Sequence, residues 1–511
     1  MSELFGRISK QAQRAEFAYS EPDPDGVGEP SLPTSLHEVE AQLHEQLGES
    51  PDIKQRVLTV DLRLKLLVVY TEGLSNPKHL LETLVDAELT DGLSEPAPSE
   101  VPDRLKQTVI AEGPVADIRS MMGACRFILS GYTVIFIEGS QLALAVGTKE
   151  LKQRPIEEPI TQSVVRGPRE GFTESLRENT ALVRRRIKDP RLRLEQMLIG
   201  SLTSTDVGMM YMKEIARAET VEDVRRQLQQ IDIESVLESS YIEEMLQVDK
   251  PYSLFPTIFN TERPDVVAAA LLEGRIAIFV EGTPFVLLVP ALFVHFFQSG
   301  EDYYQRFDFS TLIRLLRFMS MLLTLLMPSL YIAVTTFHQE MLPTTLLLSL
   351  MSQREGVPFP AFIESLIMEV TFEILREAGV RMPKSIGQSV SIVGTLVIGQ
   401  AAVEAGLVSA AMVIVVSVTA ISNFVLPAFN IGISTRMLRF VFMGLAAIFG
   451  LYGIFLGIIV LLLHLASMES FGIPYMSTLA SFQLGDQKDS LFRLPLWFRP
   501  GRSGGSGRSK R

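Results

Sequence analysis

The sequence of 511 residues contains one cysteine, one tryptophan and six histidines, and these scarcities exclude several kinds of site. Cys125 has no second thiol to pair with, so the chain has no internal disulfide and a reducing compartment is favoured. The histidines are scattered through the sequence, so we predict no metal site and no cofactor. A phosphate-binding GxxxxGK[ST] loop and a nucleophile-base set are missing as well, which argues against an enzyme.

The first residues, MSELFGRISKQAQRAEF, lack the apolar core of a signal sequence, so we expect the first half of the chain to stay in the cytoplasm. The formal net charge of −12 argues against nucleic acid as a partner. Apolar content is unevenly distributed: residues 1–270 resemble an acidic soluble protein, and residues 310–466 are dominated by apolar runs. The pattern predicts a soluble half joined to a membrane half.

The soluble half contains a repeated pattern. Gly131–Val146 reads GYTVIFIEGSQLALAV and Gly274–Val289 reads GRIAIFVEGTPFVLLV, two β-rich runs around a Glu-Gly turn. An apolar strand ending at Tyr70 and another ending at Tyr211 precede the two copies, and a predicted helix follows each. We therefore predict an α/β tandem-duplicated N-terminal soluble domain followed by an α-helical polytopic membrane domain. Chance similarity between two hairpins is the alternative.

The composition suggests six segments along the chain. They are a flexible or partly helical start (1–50), a first α/β subdomain (51–150), a basic linker (151–190), a second α/β subdomain (191–305), a transmembrane helical domain (306–470) and a basic tail (471–511). The linker is dense in arginine, and we select five of them as intersubunit contacts: Arg166, Arg169, Arg184, Arg185 and Arg186. Contact between domains, binding to anionic lipid and a solvated linker helix with internal ion pairs are the alternatives.

The membrane half contains several apolar runs of spanning length. Leu342–Met351 is too short to span alone, and Pro328 falls inside the first candidate. We expect the last candidate, which is longer than a bilayer requires, to tilt or to extend beyond the lipid. The side on which the basic tail lies does not follow from these runs. The candidate spans are Phe318–Phe337, Ile386–Val403, Leu407–Phe429 and Met437–Met468.

One predicted helix, Ala361–Glu377, carries acids within this apolar half. At 100° per residue Glu369, Glu373 and Glu377 share one face, and Phe362 and Leu366 continue that face towards the start of the helix. Ionisable groups in membrane segments mark conduction paths by default. We predict that these five residues line a pore, with rings of acids that favour cations and an apolar constriction that holds the pore shut.

Two alternatives to pore lining remain open. The helix can lie flat at the membrane interface, although interfacial helices usually carry Lys and Arg on the polar face. The acids can also form structural ion pairs with Arg381, Lys384 or a partner subunit. Beyond the helix, the small residues Ser391, Thr395 and Gly399 are spaced four apart, which predicts close packing against another helix.

Several distinctive motifs stand in one order along the chain. They include RGPREGFTE (Arg166–Glu174), FVEGTPF (Phe279–Phe285), REGVPFP (Arg354–Pro360), LREAGVRMP (Leu375–Pro383) and SIVGTLVIGQAAVEAGLVS (Ser391–Ser409). With these motifs the chain resembles the GerA family, the A subunits of bacterial spore germinant receptors. The resemblance extends from about residue 50 to residue 470 and implies a multi-pass protein of the spore inner membrane. It implies action with a transporter-like B subunit, which binds the nutrient, and with a C subunit lipoprotein.

The resemblance also implies that A subunits assemble into a homo-oligomeric ring in membrane lipid and conduct ions. Our first hypothesis is therefore a nutrient-gated cation channel subunit of a germinant receptor. A SpoVAF-type accessory channel or scaffold subunit is the second hypothesis, and a secondary transporter is the third. Transporters usually repeat their spans, whereas the repeat here lies in the soluble half. The sequence does not specify the nutrient, the ion or the number of subunits.

Overall fold

The computed structural model describes residues 31–60, 64–89, 101–108, 114–149, 159, 162, 164–247, 253–381, 399–480 and 492–495. They divide into two compact units. The first, called here the α/β unit, contains the described residues up to 159 together with 169–246 and 260–288. The second, called the helical unit, contains the described residues of 162–168, 247–259 and everything from 289 onward.

The first half of the α/β unit is a sheet covered by helices on both faces. Its strands are β1 (Ile53–Val60), β2 (Leu64–Thr71), β3 (Val115–Ile118), β4 (Thr133–Ile137) and β5 (Ala143–Val146), hydrogen-bonded in the order β1-β2-β4-β5-β3 with antiparallel neighbours. Its helices are α1 (Leu36–Leu47), α2 (Lys78–Leu89), α3 (Val101–Thr108) and α4 (Met121–Leu129). Leu67 and Val69 pack in one core with α1 and α4, and Leu66 and Val68 pack in another with α2 and α3. Because side chains alternate across a strand, burial on both faces explains why residues 66–69 of β2 are continuously apolar.

The second half of the α/β unit repeats this arrangement. Its strands are β6 (Leu192–Ile199), β7 (Thr205–Met212), β8 (Phe259–Thr261), β9 (Ile276–Val280) and β10 (Val286–Val289), in the order β6-β7-β9-β10-β8. Its helices are α5 (Leu176–Arg186), α6 (Ala218–Gln229), α7 (Ser239–Leu246) and α8 (Pro264–Leu272). The strand order matches that of the first sheet position by position, which is the topology that the repeated segments predict.

The repeated Glu-Gly turn has the same structural role in both copies. Gly139 and Gly282 have φ values of 81° and 89°, which favour glycine. The Glu138 carboxylate accepts a hydrogen bond from Leu36 N at 3.2 Å, at the start of α1, and the Glu281 carboxylate accepts one from Leu176 N at 2.7 Å, at the start of α5. A carboxylate at a helix start satisfies an unpaired N–H and complements the helix dipole.

Helix α5 therefore belongs to the second subdomain and not to a linker. Phe172 packs edge-on against Phe279 of β9 at 5.8 Å between ring centroids, and its N–H donates to Glu262 O at 2.8 Å. The structure thus begins the second subdomain near Phe172, inside the segment 151–190 that the sequence pattern assigned to a linker. The remaining domain limits stay predictions.

The helical unit contains α9 (Phe307–Thr336), α10 (Thr344–Arg354), α11 (Ala361–Arg381), α12 (Gly399–Glu404), α13 (Ala410–Phe424), α14 (Phe429–Ser467) and α15 (Ser477–Ala480). A short hairpin of β11 (Glu469–Ser470) and β12 (Ile473–Pro474) follows α14. Among the described residues two helices are long and apolar enough to cross a membrane: α9, with a mean hydropathy of 1.8, and α14, with 2.7. Helix α13 is apolar but shorter, and most of the predicted span Ile386–Val403 lies outside the described residues.

Helix α14 reverses direction at Gly450, where φ is 62° and ψ is −141°. A Cβ atom at Gly457 would lie 2.9 Å from both Leu445 Cδ1 and Phe442 Cε1. In a straight helix, positions 442 and 457 would be separated by about 22 Å at ~1.5 Å per residue. Residues 429–449 and 451–467 are therefore two antiparallel arms, and the prediction of one long tilted span over Met437–Met468 is wrong.

Both ends of this helical hairpin lie together. Ser434, near the start of the first arm, donates to Leu254 O, and His464, near the end of the second arm, lies 3.0 Å from Ser253 Oγ. The turn at Gly450 lies at the other end, beside Phe337 and His338, which follow α9. The second arm thus returns the chain to the level at which the first arm began.

The segment after α14 stays at this end of the helical unit. The Tyr475 ring packs against Phe293 at 6.0 Å, and Phe297 stacks on Phe318 of α9 at 4.2 Å. Arg493 N donates to Thr311 Oγ1, in the second turn of α9, at 3.2 Å, and the Arg493 guanidinium lies over the Tyr303 ring at 5.7 Å. The start of α9 and the described end of the chain therefore share one end of the helical unit.

Candidate functional site

The charged face of α11 lies inside the helical unit. The helix begins after Pro360, whose carbonyl accepts a hydrogen bond from Glu364 N at 3.0 Å. Glu364, Ser365 and Glu369 have no exposed surface, although the surrounding segments are strongly apolar. A buried carboxylate is costly unless it is paired or hydrogen-bonded, so the partners of these acids define the site.

Glu364 is bound at the start of α13. Its carboxylate accepts hydrogen bonds from Ser409 N at 2.7 Å and from Ser409 Oγ, and Ser409 is the N-cap residue of α13. Tyr331 Oη of α9 lies 3.4 Å from the same hydroxyl, and Arg354 Nε lies 3.8 Å from Glu364 Oε2. Glu364 thus connects α11 to α13, and helical periodicity missed this role because it only placed Glu364 off the acidic stripe.

The next two acids are paired with arginines of α14. Glu369 Oε2 lies 2.9 Å from an Nη of Arg439, whose side chain is 1% exposed. Glu373 lies 2.6 Å from Arg436, 3.2 Å from Arg439 and 3.5 Å from Arg376 of its own helix. We call Glu369, Glu373, Arg436 and Arg439 the charge cluster. It joins α11 to the first arm of α14.

These contacts correct the predicted orientation of the helix. Phe362 and Leu366 pack against the apolar core formed by α9 and α14, and Glu369 and Glu373 are held by arginines of the same protomer. None of these four faces an open path in this conformation. Only Glu377 of the five predicted pore residues is exposed, and it pairs with Arg381 at 2.6 Å.

The exposed face of α11 is apolar instead. Ile367, Val370 and Ile374 are 43%, 43% and 63% exposed, and they follow the 3–4 residue spacing of one helical stripe. A hydrophobicity pattern cannot tell which of two partly apolar faces is turned inward, because the arginines that select the acidic face come from α14.

The predicted small-residue packing site is only partly described. Ser391 and Thr395 lie outside the described residues, and Gly399 has ordinary space, with Val413 Cγ1 3.8 Å from a Cβ at that position. Close helix approach occurs instead at Gly453 and Gly457, between the arms of α14. The GxxxG spacing of this pair is the sequence signal that would have identified it.

The arginine-rich segment contributes to the interior of the α/β unit. Arg184 has no exposed surface and binds Asp52 through two bonds of 2.7 and 3.1 Å, while donating to Leu192 O at 3.0 Å. It therefore joins the two subdomains of one chain, and its assignment as an intersubunit contact is wrong. A planar guanidinium suits this bidentate geometry, which lysine cannot reproduce.

The other arginines of the set lie nearer the surface. Arg185 and Arg186 both bind Glu170. Burial alone would raise the pKa of Glu170, but the two guanidinium groups outweigh it, and the pKa lies below its usual value. Arg166 and Arg169 are exposed, so these two can still contact another molecule.

Comparison with known proteins gives one consistent result. A family model described as Bacillus/Clostridium GerA spore germination protein matches residues 41–503. Spore germination protein KA of Bacillus subtilis (strain 168) is 48% identical over 470 residues, which cover 92% of this chain and 85% of that protein. Spore germination protein GerLA of Bacillus cereus is 39% identical over 469 residues, 91% of this chain and 94% of that protein.

Two further similarities concern a membrane protein and a solved domain. An uncharacterized membrane protein of Bacillus subtilis (strain 168), YfkQ, is 48% identical over 440 residues, 86% of this chain and 84% of that protein. A crystal structure of the N-terminal domain of the A subunit of the Bacillus megaterium spore germinant receptor GerK3 is 36% identical and covers 52% of this chain and 98% of that domain, with a TM-score of 0.42.

Proposed function

Because the chain belongs to the Bacillus/Clostridium GerA family of spore germination proteins, we propose that it is the membrane-embedded A subunit of a spore germinant receptor. In this proposal copies of the chain assemble as a ring in the spore inner membrane and conduct cations when a nutrient is bound. The nutrient-binding B subunit and the lipoprotein C subunit are its partners. The single observation that supports conduction best is the charge cluster buried among apolar helices.

The proposed membrane topology follows from the hairpin at Gly450. The two arms of α14 are about 30 and 25 Å long at ~1.5 Å per residue, close to the thickness of a bilayer core. Because the second arm returns, the start of α9 and the described residues 492–495 share one side. Cytoplasmic segments are enriched in Lys and Arg, so we place this side, with the α/β unit, in the cytoplasm.

The proposed path runs along α11. In the closed ring the exposed stripe of Ile367, Val370 and Ile374 forms an apolar constriction, which stops ions by excluding water. Opening requires α11 to turn, so that Glu369 and Glu373 leave Arg439 and Arg436 and face the path. The ion pairs of the charge cluster thus stabilise the closed state. When they break, the lining of the path changes from apolar to acidic.

Cation flux from liposomes that contain the purified chain tests this proposal. Ile374→Ser should raise the nutrient-independent leak of K⁺, since a polar residue wets the constriction. Ile414→Ser is the matched control, because Ile414 of α13 is 64% exposed but lies on a different helix. A chain that carries no current in any variant, yet assembles with its partners, would be a scaffold subunit. Saturable flux of a solute would indicate a transporter.

A further inference from the structure

A basic cavity lies in the α/β unit where its two subdomains meet. It has a volume of about 450 Å³ and is lined by α4, the end of α8 and the residues before β6. Met122 and Leu272 at its wall are 40% and 50% exposed, and Arg126 and Lys188 are exposed beside them. The lining residues include three cations, Arg126, Arg186 and Lys188, and one acid, Asp189. The cavity is therefore concave, partly apolar and positive.

An acidic, apolar tip lies elsewhere on the same unit. The β6–β7 turn is bound to the loop before α7, with Leu202 N donating to Glu234 O at 2.8 Å and Val236 N to Thr203 Oγ1 at 3.1 Å. Leu202 is 77% exposed and Leu237 is 65% exposed. Exposed large apolar side chains that cluster on a protrusion indicate a contact surface.

The segment at the rim of this tip is acidic. Residues 231–244, IDIESVLESSYIEE, contain five acids and no Lys or Arg. Burial raises the pKa of Glu243 to about 7, and the neighbouring Glu238 carboxylate adds to the shift. The exposed acids of this segment, Asp232, Glu234 and Glu244, therefore suit a positive partner.

The cavity and the tip lie at opposite ends of one strand. Pro190, at the cavity wall, comes two residues before β6, and the turn that carries Leu202 begins where β6 ends at Ile199. Eight residues of strand span about 23 Å at ~3.3 Å per residue. One copy of the chain therefore cannot bring its own tip into its own cavity.

We propose that the tip around Leu202 of one copy docks in the cavity around Lys188 of the next copy, which rests on the proposed ring assembly. The tip is acidic with exposed leucines and the cavity is basic and partly apolar, so charge and apolar surface match, and both surfaces are present on every copy. A head-to-tail contact of this kind uses two different surfaces, so it builds a closed ring when the rotation between copies closes. Charge complementarity fixes the register and speeds the encounter.

Disulfide trapping of the full chain in liposomes tests the contact. Cys125 is replaced by Ala, and Leu202→Cys is combined with Met122→Cys. A disulfide requires Cα atoms about 4.4–6.8 Å apart, so a bond between the two ends of β6 can form only between copies. We expect a ladder of dimers, trimers and larger species on mild oxidation. Each single cysteine variant, and Leu202→Cys with Val57→Cys on the exposed part of β1, should give no ladder.

A charge exchange provides a second, independent readout. Lys188→Glu and Glu234→Lys should each reduce the oligomer fraction at least tenfold, and the chain that carries both should recover most of it. Circular dichroism of each variant shows whether the α/β unit remains folded. Recovery is the outcome that a folding defect cannot produce.

The negative outcomes separate this inference from the proposed function. If oligomers form but give no disulfide ladder and do not respond to the charge exchange, the contact between tip and cavity is overturned. The proposed ring assembly is then unaffected. A ladder that ends at dimers would overturn the head-to-tail arrangement. A chain that stays monomeric in liposomes would overturn both. An altered nutrient response with unchanged oligomers would assign the cavity to a small ligand instead.

Discussion

Gly453 lies directly against the carbonyl oxygen of Leu445, eight residues earlier in the chain, with no room for a side chain between them. This relationship is impossible in a continuous helix and exists because the chain reverses at Gly450. It turns one apparent span of 39 residues into a hairpin and brings the residue that follows it, Met468, back beside Ser253, near the start of the first arm. The glycines at 453 and 457 let the two arms approach closely.

Gly453→Leu should disrupt the hairpin, because the new side chain would occupy space filled by the Leu445 backbone. Overpacking typically costs about 1–3 kcal/mol, and here backbone cannot move aside, so the upper end or more is expected. Gly444→Leu is the matched control, since a Cβ at Gly444 of the first arm meets nothing within 4 Å. Thermal unfolding in detergent checks both variants. Equal melting temperatures would contradict the hairpin.

Arg439→Met should destabilise the protein strongly, because Glu369 would be left buried without its partner. Breaking a buried ion pair costs about 3–5 kcal/mol, whereas replacing both partners by apolar residues is often neutral. Glu369→Met combined with Arg439→Met should therefore recover stability, with Glu373 retaining Arg436. If the double variant also leaks K⁺ in liposomes, the charge cluster holds the closed state. Additive losses in the double variant would show that the two residues are not coupled.

Asp52→Ala should loosen the two subdomains by leaving the Arg184 guanidinium buried and unpaired, at a cost of about 3–5 kcal/mol. The Arg191–Asp189 pair provides the control, since its side chains are 45% and 29% exposed and such pairs contribute about 1 kcal/mol or less. Urea unfolding followed by intrinsic fluorescence and limited proteolysis measures the difference. Similar losses of unfolding free energy from Asp52→Ala and Asp189→Ala would show that the Arg184–Asp52 pair does not hold the two subdomains together.

Glu281→Ala should destabilise the second subdomain by about 0.5–2 kcal/mol, because Leu176 N at the start of α5 loses its acceptor. Glu138→Ala should have a similar effect on the first subdomain through Leu36 N. Glu244→Ala, on exposed surface, is the control for removing one negative charge. Hydrogen exchange at the first turns of α1 and α5 locates each effect, and protection that stays unchanged in both variants would show that these carboxylates are not caps.

Glu243 should make stability depend on pH. Its folded pKa of about 7 lies above the ordinary value of 4.5, so its contribution is fully present below pH 4.5 and is lost as pH rises through 7. Glu243→Gln should remove this loss and flatten the profile between pH 5 and 8. Urea unfolding across that range measures it, and a variant with the same slope as the original chain would place the titration elsewhere.

The sequence by itself determined the α/β repeat. Period-2 runs, Glu-Gly turns at Gly139 and Gly282, and matching offsets are local features, and local chemistry is sufficient to specify strands and turns. It also determined that the later part of the chain contains apolar helices, because their length and composition are readable without partners. The family followed from motifs in a fixed order.

Only the tertiary structure decided which residues the buried charges and the close-packed glycines contact. Whether Glu369 faces an open path or Arg439 depends on where a helix some seventy residues away comes to lie. The sequence pattern predicts that Arg184 is a surface charge, but Arg184 is buried because it pairs with Asp52, 132 residues earlier. The reversal at Gly450 depends on Leu445 packing against Gly453 rather than on any break in apolar character. Each of these choices is made by long-range contacts, whose energies are absent from a one-dimensional pattern of residue types.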